Sequence, residues 1–145
     1  MKYVHGEYLV TRAGDIVLTQ AYGPWNRECV EAFGMDYRAE TICLHGSRWS
    51  DIVVLQGESL LIPDAQSLLH AMIEAVHNLG LAHVALVLGH SSVQSSTRMQ
   101  LDLMYRDAGP TYRFFDQYGE ALAWLTSYGY RLDSHLEQQH FGRVG

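Results

Sequence analysis

The sequence predicts an α/β fold, a mixed sheet of four or five strands with about four helices against it, and three observations carry that prediction. Trp49 to Leu81 reads as a buried strand, a turn and an amphipathic helix in succession. Helical stretches alternate singly with apolar strands along the chain, in the order β-β-α-β-α-β-α-β-α. Strands separated by single helices require right-handed crossovers in a largely parallel sheet, here with an antiparallel hairpin at its start.

The elements follow in order. Tyr8 to Arg12 and Ile16 to Tyr22 flank Ala13-Gly14-Asp15, a polar turn with glycine where a positive φ costs least, so the chain opens with a hairpin. Gly23-Pro24 is expected to stop the second strand. Asn26 caps the first helix, and Trp25 before it can pack on Val30 as a hydrophobic staple. Val30, Phe33, Tyr37 and Leu44 continue a helical stripe that Gly34 and the β-branched Thr41-Ile42 weaken, so this helix ends between Ala39 and His45. Ile52 to Leu55 is an uninterrupted apolar run, the pattern of a strand covered on both faces. Gln56-Gly57-Glu58-Ser59 is read as a turn. Ala65, Leu68, Leu69, Met72, Ile73, Val76 and Leu79 then paint one face of a second helix, with Gln66, Ser67, His70, Glu74 and Asn78 on the other. Pro63 suits its first position, Asp64 stands either in its electropositive first turn or as its cap, and Gly80-Leu81 ends it.

Ala82 to Leu88 is another buried strand, closed by Gly89. His90-Ser91-Ser92 leads into a third helix with Val93, Thr97, Leu101, Met104, Tyr105 and Ala108 inward and Gly109-Pro110 as its stop. Thr111 to Phe115 is a short aromatic strand. Asp116 is expected to cap a fourth helix, in which Tyr118, Ala121, Leu122, Leu125 and Tyr128 share a side before Gly129-Tyr130. From Arg131 the periodicity vanishes. Residues 1–130 therefore read as a single domain, and 131–145 as a polar, loosely held tail.

Composition narrows the function classes. A chain of 145 residues, 48% of them hydrophobic, is long enough for one full core and short for two. Ten basic against sixteen acidic side chains give a net charge of −6, which leaves no basic patch for a phosphate backbone and makes nucleic acid an unexpected partner. Cys29 and Cys43 belong to no CxxC or Cys/His cluster and are expected to be buried and reduced. With no leader and no apolar run near ~20 residues, a cytoplasmic location is the expectation.

The element order, together with GPWN before the first helix, the strand-turn-PDA-helix stretch and the closing FFDQYGEALAWL, resembles the SpoIIAA-like branch of the STAS family over roughly Gly6 to Tyr130. The resemblance implies a non-enzymatic module without cofactor. Some members engage partner proteins and are switched by phosphorylation of a serine at the start of the helix after the third strand. Others are thought to bind apolar ligands or lie on membranes, like the CRAL-TRIO lipid carriers. Here Pro63-Asp64-Ala65-Gln66 puts Ala65 at the approximate position of that serine, so the switch does not carry over.

Each candidate site also has a plainer reading. Two helix starts, near Pro63-Asp64 and near Ser92, follow strand ends along the edge where α/β sheets gather ligands, and Ser91, Ser92, Ser95 and Ser96 offer hydroxyl donors there. Capping and turn formation explain the same serines. His70, Glu74 and His77 stand at i, i+4 and i+7, but HExxH spacing is absent and a solvated face is the better reading, so no metal is expected. No GxSxG elbow or Cys–His pair marks a nucleophile. Surplus aromatics, Trp25 and Phe33 among them, suit a groove shared by the first and fourth helices. The expected function is a non-catalytic regulatory or binding module for a partner protein or a small apolar ligand. The alternatives are a peripheral membrane lipid-binding or lipid-transfer-like protein and, behind it, a small enzyme.

Overall fold

The computed structural model describes residues 7–88 and 94–144, through the backbone alone at 58–60 and 94. Strands β1 (Glu7–Ala13), β2 (Ile16–Trp25), β3 (Trp49–Leu61), β4 (Leu81–Leu88) and β5 (Thr111–Phe115) lie side by side in chain order. β1 pairs antiparallel with β2, and every later pairing is parallel. The helices are α1 (Arg27–Thr41), α2 (Pro63–Leu79), α3 (Gln94–Ala108), α4 (Tyr118–Ser127) and α5 (Ser134–Val144), with a 3-10 turn at Ile42–Leu44 after α1.

Each crossover from β2 to β5 steps to the next neighbour in the same direction. Right-handed crossovers therefore place α1, α2 and α3 on one face of the sheet. The two cores agree with this. Val17, Ala21, Leu55, Val84 and Leu86 cluster with Val30, Tyr37, Ile73, Leu101 and Tyr105. On the opposite face Ile16, Leu18, Ile52 and Ala85 cluster with Ala121 and Leu125 of α4, and Leu136 and Phe141 of α5 pack against them. Period-two alternation along each strand divides these residues between the faces.

Local chemistry sets the helix ends. Asn26 caps α1, its Oδ1 accepting from the Cys29 N–H at 2.9 Å, and both Trp25 and Val30 are buried in the same cluster. Gly80 closes α2 at φ 135°, its N–H donating to Val76 and His77 carbonyls. A Cβ there would stand 1.9 Å from the Ser47 carbonyl oxygen, so only glycine fits. α1 and α2 approach closely at Gly34, where a Cβ would meet the Met72 methyl at 2.4 Å.

Several expectations need correction. Gln56 to Ser59 is no turn: β3 continues to Leu61 because β2 extends alongside it, pairing Tyr22 with Gln56 and Trp25 with Leu61. β2 likewise passes Pro24, at a register shift between Gly23 and Trp25 that absorbs a residue without an N–H. Asp116 does not cap α4, whose N-cap is Gln117 with no side-chain cap bond. Asp64 sits in the first turn of α2 and Ile62 holds the cap position; the Gln100 amide of α3 engages the chain just before it, accepting from the Leu61 N–H at 3.0 Å and donating to the Leu61 carbonyl at 2.8 Å. Cys29 is buried, but Cys43 is exposed, because Leu44 is the residue of that 3-10 turn that packs inward.

The largest difference lies after Arg131. The segment expected as a loose tail is tied to the hairpin by backbone bonds from Asp15 N–H to Arg131 O at 2.9 Å and from Asp133 N–H to Ala13 O at 3.2 Å. α5 then lies against β1. His140 is 1% exposed there and meets Thr11 Oγ1 at 2.8 Å.

Candidate functional site

The apolar stripe of α2 does not close onto the sheet. Ala65 and Ile73 are buried, while Leu68, Leu69, Met72 and Val76 remain only partly so and border a cavity of about 490 Å³ between α1, α2 and the sheet. Trp25 at the end of β2 and Phe33 and Tyr37 of α1 form the opposite side. Their rings run in a chain of contacts, Trp25 to Phe33 at 5.3 Å and Phe33 to Tyr37 at 5.6 Å. Trp25 is fixed by its indole N–H, which donates to the Tyr22 carbonyl at 2.8 Å. The rim at Glu31, Met35, Arg38 and Leu79 is exposed, with Met35 at 75%.

The floor carries a buried carboxyl. Asp51 sits on β3 on the α1–α3 face, buried, and the Tyr37 hydroxyl reaches both its carboxyl oxygens at 2.8 and 2.9 Å. Trp49 Nε1 in turn donates to the Tyr37 oxygen at 3.0 Å. Burial raises the Asp51 carboxyl to about 7, against the Tyr37 and Trp49 hydrogen bonds that favour its charged form. Burial first, then the nearby Asp51, hold the Tyr37 and Tyr105 hydroxyls well above their ordinary value and so protonated. Thr19, on β2, is 2% exposed and also borders the cavity, and its hydroxyl has no hydrogen-bond partner among the described residues. His45 stacks on Trp49 at 5.8 Å between ring centres and lines the same space.

Of the residues singled out in the sequence, Trp25 and Phe33 meet in this cavity. Their partner helix is α2, since α4 lies on the opposite face of the sheet and cannot share the groove. Pro63 and Asp64 are exposed at the start of α2 and do not border the cavity; Ser95 is exposed on α3. Ser91 and Ser92 lie outside the described residues.

The polar face of α2 differs in detail from the spacing argument. His77 turns away and its Nδ1 meets the Leu81 carbonyl oxygen at 2.8 Å. His70 and Glu74 instead come together with Asp107 of α3, three potential ligand atoms within 4.8 Å of one another. His70 Nε2 lies 2.8 Å from Asp107 Oδ2 in that cluster, whose two carboxylates are exposed.

Asp51 is the group that sequence reasoning missed. The available signal was a charge at the head of an uninterrupted apolar run, directly between Trp49-Ser50 and Ile52-Val53-Val54-Leu55. A carboxylate in such a run is either at an edge or buried with partners, and here the partner comes from α1, fourteen residues upstream. Among the described residues no helix is long and apolar enough to cross a membrane. No family model, curated protein or solved structure matches this chain.

Proposed function

We propose that this chain is a non-catalytic binding module of the SpoIIAA-like STAS kind, which takes a small apolar, lipid-like ligand between α1 and α2. One observation carries the proposal: a helix face with the spacing of a core stripe borders an open volume of about 490 Å³ instead of closing on the sheet. Small-molecule sites run roughly 300–1,000 Å³, mostly apolar with a few placed polar groups, and this cavity has that make-up. The STAS assignment is supported by the opening hairpin, the alternation of helix and parallel strand, and the motifs that carry the resemblance. Ala65, buried at 0% exposure, suits a role by occupancy of a cavity in place of a phosphorylation switch. Two unpaired thiols, one of them exposed, suit the reducing cytoplasm.

Recognition of a partner protein through the Pro63-Asp64 edge has less support, because that edge is separate from the cavity. Acid–base chemistry is a second reading, favoured by the carboxyl of Asp51 titrating near neutrality in a cleft. A catalyst would need a second group to exchange that proton; Tyr37 and Tyr105 are both held protonated, which leaves His45 as the other titratable side chain bordering the buried floor.

Native mass spectrometry of freshly purified protein tests the binding reading, with retention of an apolar molecule, unchanged on incubation, as the expected result. Titration with the fluorescent probe N-phenyl-1-naphthylamine is the second arm. Val76→Trp fills the cavity from α2 and is expected to weaken probe binding at least tenfold while the far-ultraviolet circular dichroism stays the same. Equal probe affinity in the folded variant and the wild type would remove this cavity as the site.

A further inference from the structure

The cavity has a polarity its walls do not explain. α2 presents only apolar side chains to it, and the charged residues on its wall, Glu31 and Arg38, are exposed. The buried charge on its lining is the carboxyl of Asp51. A carboxylate has about four lone-pair positions, and the Tyr37 O–H, shared between both oxygens, together with the Trp49 indole N–H does not fill them. Thr19 adds a second polar atom without a partner, 2% exposed and a diagonal neighbour of Asp51 across the pairing of β2 with β3. A buried carboxylate without a counter-charge and a hydroxyl without a partner are each costly inside a protein, and no cation among the described residues of the buried lining offsets them.

A ligand carrying a cation would supply the missing partner. An ammonium group has three donors, enough for an Asp51 oxygen and the Thr19 oxygen together, and the rings of Trp25, Phe33, Tyr37 and Tyr105 add faces that attract a positive charge. A ligand ending in a carboxylate, such as a fatty acid, would set like charges against each other in a site where water cannot screen them.

We propose that the cavity selects an apolar amine, whose hydrocarbon body lies along Leu68, Leu69, Met72 and Val76 and whose ammonium group pairs with Asp51 and donates to Thr19 Oγ1. This rests on the reading of the cavity as a ligand site and names the ligand class. Binding is linked to protons, because the ammonium holds Asp51 ionised. The other titratable groups near Asp51 are Tyr37 from α1, Tyr105 from α3, His45 ahead of β3 and Tyr130 after α4; α2 contributes none. The tyrosines are held above their ordinary values and stay protonated, so they do not supply the proton released on binding, and Asp51→Asn, which keeps His45, should abolish the release.

Isothermal titration calorimetry with octylamine, octan-1-ol and octanoic acid, against the wild type and Asp51→Asn, tests the proposal. The wild type is expected to bind octylamine at least tenfold more tightly than octan-1-ol, with octanoic acid weakest. Asp51→Asn should lose the preference for the amine and still bind octan-1-ol, which shows the cavity intact. In the wild type, amine binding at pH 6.5, repeated in buffers of different ionisation enthalpy, should release a fraction of a proton. Binding of octan-1-ol or octanoic acid as tightly as octylamine, or an unchanged amine affinity in Asp51→Asn, would overturn the amine assignment and leave the cavity standing. Absence of binding by all three probes to the wild type would overturn both.

Discussion

Acidification should loosen α5 through one buried side chain, His140. The imidazole is 1% exposed beneath α5, touches Thr11 Oγ1 and stacks edge-on to Phe141 at 5.1 Å. Burial, and secondarily the positive charge of Arg143, lower its folded value from 6.5 to about 4. Between those pH values the unfolded chain binds the proton and the folded chain does not, so stability rises with pH across that window. The contribution is complete above 6.5 and lost as the pH falls through about 4. At about 1.36 kcal/mol per pH unit, the distance between the two values amounts to about 3 kcal/mol. Urea unfolding followed by tryptophan fluorescence at pH 4, 5, 6 and 7, on the wild type and His140→Gln, reads this directly. The wild type should lose about 3 kcal/mol more than the variant between pH 7 and pH 4, a difference in which the shared carboxylates cancel. Asp51 tilts the other way: its value is raised from 3.8 to about 7, so its favourable contribution is present at low pH and lost as the pH rises through about 7. The two groups lie on opposite faces of the sheet and share no partner, so Asp51→Asn should steepen the acid loss and leave the His140 increment unchanged. A stability gap between the wild type and His140→Gln that stays constant over the whole range would refute the reasoning.

Two further substitutions probe the cavity floor and the frame around it. Thr19→Val removes a buried hydroxyl that has no partner and keeps the side-chain shape, so it should stabilise the ligand-free protein by about 1 kcal/mol, seen as a rise in urea midpoint without a change in slope. A destabilised Thr19→Val would mean that the hydroxyl is satisfied in the free protein. Gly80→Ala must place a Cβ against the Ser47 carbonyl at φ 135°, where L side chains are strained, so a loss above about 2 kcal/mol is expected. Thermal unfolding would show it as a lower Tm, and an unchanged Tm would show that the turn between α2 and β4 relaxes freely.

Much of the architecture was legible along the chain because its causes are local. Asn26, Pro63, Gly80 and Gly109 mark helix boundaries through their own backbone preferences, and the buried strands announce themselves by uninterrupted apolar runs. Where a neighbour decided the outcome, sequence reasoning stopped short. β3 outruns its apolar segment because β2 pairs with the polar residues after it, and α5 holds to the sheet through contacts of a weakly periodic helix with β1, more than a hundred residues away.

The candidate site divides in the same way. Sequence by itself determined the α/β order, the apolar stripe of α2, the absence of a phosphorylatable residue at Ala65 and the aromatic pair Trp25 and Phe33. Tertiary structure alone decided that the stripe stands off the sheet, that α2 rather than α4 faces α1, and that Asp51 meets Tyr37 beneath the opening. The physical reason is that periodicity reports which face of an element is apolar, whereas a cavity is set by the distance between elements. A buried carboxyl takes its character from partners that only the crossing of α1 over β3 brings within reach.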